Sequence, residues 1–83
     1  MARVLTFDDL KAAGSGVAAP ELVTRLYAEA FRRFGVQALW SLRQIEQPTI
    51  AHVLVVADRL RREGDMAAWR LAAQIETACR AAL

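Results

Sequence analysis

The side chains that could carry chemistry are few in this sequence, and they are spread along it. His52 is the sole histidine and Cys79 is the sole cysteine. A catalytic nucleophile needs a base within hydrogen-bond reach, and a zinc ion needs four ligands. Asp58 lies six residues after His52, on a different side of a helix, so too few ligands converge for a metal. We expect His52 at the surface or at a helix start, and Cys79 as a small buried residue.

Two other features resemble parts of active sites without completing one. Asp8 and Asp9 are adjacent, so on a helix they point to different sides and do not form a carboxylate pair for acid–base catalysis. Gly14 and Gly16 are not followed by the Gly-Lys-Ser/Thr sequence of a phosphate-binding loop. We therefore predict that the protein is not an enzyme and uses no cofactor and no metal.

The length and composition indicate one small domain. A chain of 83 residues buries only about 60% of its unfolded surface, so a partner or homo-oligomerisation is a plausible source of extra stability. We expect a single helical domain over residues 1–83, in which residues 1–16 are a loosely attached N-terminal arm and short helix. The lone cysteine excludes an internal disulfide, and no segment has the apolar length of a signal peptide or membrane span. These features predict a cytoplasmic protein that does not bind membranes.

The second half of the sequence predicts two consecutive helices. Pro48 disfavours helix before it, and Thr49 can cap the free amides of a helix that begins at Ile50. Gly64 can close this helix in the left-handed conformation, and Asp65 can cap the next helix at once. We predict an αα-hairpin hinged at Gly64-Asp65.

The first half predicts two further helices. Thr6 and Asp9 have the spacing of a capping arrangement for a short helix that stops at Gly14. Pro20 is well placed as the first residue of a helix that Gly35 ends. Apolar residues recur at helical spacing within residues 20–34, at Val23, Leu26, Tyr27, Ala30, Phe31 and Phe34.

Residues 36–47 are ambiguous, because their apolar pattern suits both helix and strand, and the helical interpretation is preferred here. The fold class predicted overall is all-α, a compact bundle of three to five helices.

The two tryptophans are the most informative large residues. Ordinary core packing is the favoured interpretation of Trp40 and Trp69, and exposure at an interface is the alternative. Tryptophan and arginine are enriched at binding hot spots, so the candidate partner-binding residues are Trp40, Arg43, Arg59 and Arg62.

A helix-turn-helix DNA-binding unit is the competing interpretation of the last two helices. The net charge of +2 is weak, and the second helix begins Met66-Ala67-Ala68-Trp69, which offers few donors to base edges. Phosphate contacts would have to come from Arg32, Arg33, Arg59, Arg61, Arg62 and Arg70.

Several segments within residues 34–83 resemble short, largely uncharacterised bacterial helical proteins of an antitoxin-like kind. They are Ala38-Leu39-Trp40, Pro48-Thr49, Leu60-Arg61-Arg62-Glu63-Gly64-Asp65-Met66, Arg70-Leu71-Ala72-Ala73-Gln74-Ile75-Glu76 and Ala78-Cys79-Arg80-Ala81-Ala82. The resemblance implies a compact helical accessory protein with no catalytic residues to carry over.

Our leading hypothesis is a non-enzymatic protein that binds and occludes a partner protein, like an antitoxin or an anti-CRISPR inhibitor. The alternative is a small DNA-binding transcriptional regulator.

Overall fold

Four α-helices follow one another in this computed structural model, which describes residues 6–83. They are α1 (Phe7–Gly14), α2 (Glu21–Phe34), α3 (Ile50–Glu63) and α4 (Met66–Ala82). No strand is assigned within residues 6–83. The predicted all-α bundle ending in an αα-hairpin is confirmed, because α3 and α4 are joined only by Gly64 and Asp65. The predicted N-terminal arm falls partly on residues 1–5, which lie outside the described residues.

Side-chain caps start three of the helices where the sequence predicts them. Thr6 and Asp9 form a capping box, in which the Thr6 hydroxyl accepts the Asp9 N–H at 3.2 Å. Thr49 and His52 form a second box, in which the Thr49 hydroxyl accepts the His52 N–H at 3.3 Å and His52 Nδ1 accepts the Thr49 N–H at 3.0 Å. The carboxylate of Asp65 accepts the Ala68 N–H at 3.0 Å. These bonds satisfy amides that the first turn of a helix leaves unpaired.

Two details at helix ends differ from the predictions. Pro20 is the cap of α2 rather than its first residue, since its ψ of 168° is extended and the helix begins at Glu21. Gly64 is also extended, with φ −98° and ψ 173°, so the predicted left-handed conformation is wrong. Glycine is needed there for space, because a Cβ would overlap the Ala68 methyl and lie 2.6 Å from the Leu60 carbonyl oxygen.

The core lies around α3, which packs against the other three helices. α1 joins this core through Leu10, which is completely buried. The starts of α2 and α3 are held side by side, since Ala19 N–H donates to Pro48 O at 3.0 Å and Ile50 N–H donates to Val17 O at 2.9 Å. The predicted apolar faces are inside: the buried residues include Val23, Tyr27, Ala30, Phe34, Ile50, Val53, Leu54, Ala57, Leu60, Leu71, Ala72 and Ile75.

Residues 36–47 are neither helix nor strand, so the preferred helical interpretation is wrong. The chain turns after Phe34, whose carbonyl oxygen accepts both the Ala38 N–H at 2.8 Å and the Leu39 N–H at 3.2 Å. This turn buries Ala38 and Leu39 side by side and leaves Val36 and Trp40 exposed. A helix would instead have placed Val36 and Trp40 on one face with Leu39, whereas here only Leu39 of the three is buried.

Candidate functional site

His52 and Cys79 are placed as predicted and do not act together. His52 is exposed in the first turn of α3, and its Nδ1 is occupied by the Thr49 N–H. Cys79 is fully buried, and this burial, with a smaller contribution from the charge of Glu76, raises the pKa of its thiol from 9.0 to about 11. A neutral buried thiol is a poor nucleophile. Within residues 6–83, no three His, Cys, Asp or Glu side chains are arranged to hold a metal ion.

Trp40 stands out of the core with 72% of its surface exposed, so core packing was the wrong interpretation for this residue. The neighbouring Ser41 hydroxyl accepts a hydrogen bond from Arg59 at 2.7 Å, which fixes the segment carrying Trp40 beside α3. Arg62 lies one turn after Arg59 and pairs with Asp58 at 3.1 Å. The structure therefore places Ser41, the neighbour of Trp40, against Arg59, with Arg62 on the next turn of α3.

The fourth predicted residue, Arg43, lines a cleft next to these groups. The cleft has a volume of about 320 Å³ and lies between α2, α3 and residues 42–45. Val55 lines it from α3, one helical turn before Arg59, so the cleft borders the exposed side of α3 that carries Arg59. We call the surface formed by Trp40, Arg43, Val55, Arg59 and Arg62 the Trp40 face.

Sequence analysis missed two polar contacts that shape this surface. Tyr27 is almost fully buried in α2, and its hydroxyl accepts the Ile45 N–H at 2.7 Å, which holds residues 42–45 against the core. Ser41 holds Arg59 in the same way. Each contact joins residues 18 apart in the sequence, so no local spacing could have revealed either of them.

A second tryptophan contact lies on the α3–α4 hairpin. Arg61 donates to the carboxylate of Glu76 at 2.5 Å, and its guanidinium lies 4.0 Å from the centre of the Trp69 ring. Trp69 is half exposed, so core packing describes it only in part. The neighbouring Asp65 has a lowered pKa, first because of its bond from the Ala68 N–H and further because of a hydrogen bond from the Gln37 side chain.

Most of the arginines proposed for phosphate contacts are already paired with carboxylates. Arg32 and Arg33 each form an ion pair with Glu29 at 3.5 Å. Arg61 pairs with Glu76 and Arg62 pairs with Asp58, as described above. Arg70 is exposed near the start of α4. Three carboxylates, Glu29, Asp58 and Glu76, therefore balance about half of the positive charge of the six arginines.

One more apolar surface lies between α2 and α4. Leu22 and Leu26 face the small side chains Ala73, Ala78 and Ala81 across an open groove of about 560 Å³. Leu22 is more than half exposed.

Comparison with protein families, with curated proteins and with solved structures finds no significant match to this chain. The helices within residues 6–83 are all too short or too polar to cross a membrane.

Proposed function

We propose that this chain is a non-enzymatic accessory or inhibitor protein that occludes a partner protein through the Trp40 face, in the manner of an antitoxin or an anti-CRISPR protein. The observation that carries the proposal is the 72% exposed indole of Trp40 on a segment fixed by the bond between Arg59 and Ser41. An exposed aromatic ring on an ordered segment loses little conformational entropy when it binds, and this makes it a good anchor.

The charges on the Trp40 face indicate the chemistry of the partner. Three arginines lie on it, and Asp58 is the acidic group paired with one of them. Arg43 has no ion pair or hydrogen bond within residues 6–83. A surface with an apolar anchor and an excess of positive charge is complementary to an apolar pocket with an acidic rim. We therefore expect an acidic partner surface.

The DNA-binding alternative has less support. Nucleic-acid binding requires several cations that are free to neutralise phosphates, whereas four of the six candidate arginines have carboxylate partners in this chain. A steep fall of DNA affinity with salt, with a log-log slope of about 0.9 per phosphate contacted, would support it instead.

The proposal is tested by affinity purification with mass spectrometry from the cells that produce the protein, using tagged wild type, Trp40→Ala and Leu22→Ala. Leu22 is a matched control, because it is an exposed apolar residue of α2 that lies outside the Trp40 face. A true partner should be captured by wild type and by L22A and lost with W40A, since truncating a hot spot costs about 2 kcal/mol or more, or about 30-fold in affinity. Equal capture by W40A would contradict the proposal.

The molar mass measured by light scattering tests whether the Trp40 face binds a second copy of this chain instead of another protein. A dimer that W40A converts to monomer would mean that the Trp40 face binds a second copy, which is a different assembly from the one proposed.

Arg59→Glu should weaken capture of an acidic partner, whereas Arg25→Glu on the exposed side of α2 should not.

A further inference from the structure

The cleft lined by Arg43 is mainly apolar. Its apolar lining comes from Leu42, Ile45 and Val55, and its polar lining comes from Tyr27, Arg43 and His52. No carboxylate lines it among the described residues.

Each of the three polar side chains has a donor that no described residue uses. His52 Nδ1 accepts the Thr49 N–H, so in the neutral ring the proton sits on Nε2, which is a donor. The Tyr27 oxygen accepts the Ile45 N–H, which leaves its own O–H to donate. Arg43 only donates, and it has no partner within residues 6–83.

From this arrangement we infer that the cleft binds an apolar monocarboxylate, with the carboxylate on Arg43 and the apolar chain against Leu42, Ile45 and Val55. A carboxylate is an acceptor-only group, so it suits the unused donors of these side chains, and its charge suits the guanidinium of Arg43. The volume of about 320 Å³ is at the lower end of ligand sites, so the ligand is small, such as a medium-chain or aromatic acid. A neutral alcohol would leave the guanidinium without a counter-charge, and an amine would be repelled.

Arg43 and Val55 belong to both the cleft and the Trp40 face, but Trp40 and Arg59 do not line the cleft, so ligand binding can be tested apart from partner binding. The same chemistry could come from a free acid or from the C-terminal carboxylate of a peptide that ends in an apolar residue. Both sources present one carboxylate next to an apolar group, so the experiment includes an arm for each.

The test is an NMR titration of the full chain with octanoate, octan-1-ol and octylamine at neutral pH. A fourth probe is a short peptide ending in leucine, used with a free or an amidated C-terminus. Octanoate should shift the Ile45 and Val55 amide signals, and octan-1-ol should bind at least about tenfold more weakly, because charge-assisted hydrogen bonds are roughly twice as strong as neutral ones. If the free peptide binds more tightly than octanoate and the amidated peptide does not bind, the source is a protein C-terminus.

Arg43→Gln and Arg62→Gln are the matched variants. Arg43 lies in an irregular segment, so its replacement leaves the helices intact, and Arg62 is an exposed arginine of α3 that does not line the cleft. Octanoate affinity should fall at least about tenfold in R43Q and stay unchanged in R62Q. Equal binding of octanoate and octanol, equal affinity of wild type and R43Q, or shifts confined to residues outside the cleft would each overturn the inference. Loss of partner capture in W40A with intact octanoate binding separates the two proposals.

Discussion

Replacing Gly64 with alanine should destabilise the protein far more than its backbone conformation suggests. The φ of −98° is open to every residue, so the cost does not come from strain in the main chain. It comes from the added Cβ, which would overlap the Ala68 methyl and lie 2.6 Å from the Leu60 carbonyl oxygen. Both neighbours are rigid, because that oxygen accepts the Gly64 N–H at 3.0 Å and Ala68 is fixed in the first turn of α4.

The expected loss for Gly64→Ala is about 3 kcal/mol or more, at the upper end of overpacking costs, because neither helix end can move alone. For a domain of this length, that corresponds to a fall in melting temperature of roughly 12–24 °C. Urea unfolding followed by circular dichroism measures the free energy, and the slope of the transition checks that the unfolded state is unchanged.

Gly16→Ala is the matched control. Gly16 has φ +81°, and an added Cβ would meet no other atom within 4 Å, so the cost of this substitution is conformational alone. We expect Gly16→Ala to lower the free energy of unfolding by about 1 kcal/mol. Alanine is penalised in the left-handed conformation, and part of this penalty is offset because alanine reduces the conformational entropy of the unfolded chain. The double mutant Gly64→Ala with Ala68→Gly should recover at least about 1 kcal/mol of the loss, because one of the two clashes is removed.

The reasoning is refuted if G64A is no less stable than G16A, or if A68G recovers nothing. Gly64→Asn gives a further discrimination. Asparagine tolerates the left-handed conformation well, so a left-handed Gly64 would accept it better than alanine. The extended conformation predicts that asparagine is at least as harmful as alanine.

Two other predictions concern partly buried charge and a buried thiol. Arg61→Met should lower the free energy of unfolding in urea by about 2 kcal/mol, because Arg61 pairs with Glu76 and lies over the Trp69 ring. Arg62→Met is the control, and it should cost under about 0.5 kcal/mol because the Arg62 ion pair is exposed. Equal losses in the two variants would contradict this prediction. In the folded protein the pKa of the Cys79 thiol is raised from 9.0 to about 11, so between these pH values the thiol ionises in the unfolded chain but not in the folded one. The free energy of unfolding should therefore be unaffected by Cys79 below pH 9 and fall by up to about 1.4 kcal/mol per pH unit as the pH rises towards 11. An identical alkaline slope in Cys79→Ala would show that another group is responsible.

Five of the arginines within residues 6–83 fall into two groups with different consequences for function. Arg32, Arg33, Arg61 and Arg62 have carboxylate partners on their own or a neighbouring helix. Arg43 has none within residues 6–83 and faces a cleft. Net charge alone does not separate these groups, because a paired arginine and an unpaired one contribute equally to it. An external carboxylate should bind more favourably to the unpaired guanidinium of Arg43 than to a paired one, because Arg43 loses only water on binding and no carboxylate partner within the protein.

The candidate site combines residues chosen from the sequence with an arrangement that the sequence did not predict. Trp40 and the three arginines were chosen by residue type, yet Trp40 was expected to pack in the core. The cleft beside Arg43 depends on the bond from Ile45 to Tyr27, which spans 18 residues. Periodicity reports neighbours three or four residues apart on a helix, so it carries no information about such a contact.

The sequence by itself determined where the helices start and which faces they bury. Thr6, Thr49 and Asp65 cap the following amides through bonds only three residues long, and apolar spacing at three and four residues fixes a buried stripe without reference to any other part of the chain. Only the tertiary structure decided the path of residues 36–47, the extended conformation of Gly64 and the exposure of Trp40. Each of these depends on what another helix already occupies: the core accepts Ala38 and Leu39 together, and Ala68 closes the space beside Gly64. Such exclusion of volume is a property of the packed molecule, and local sequence does not encode it.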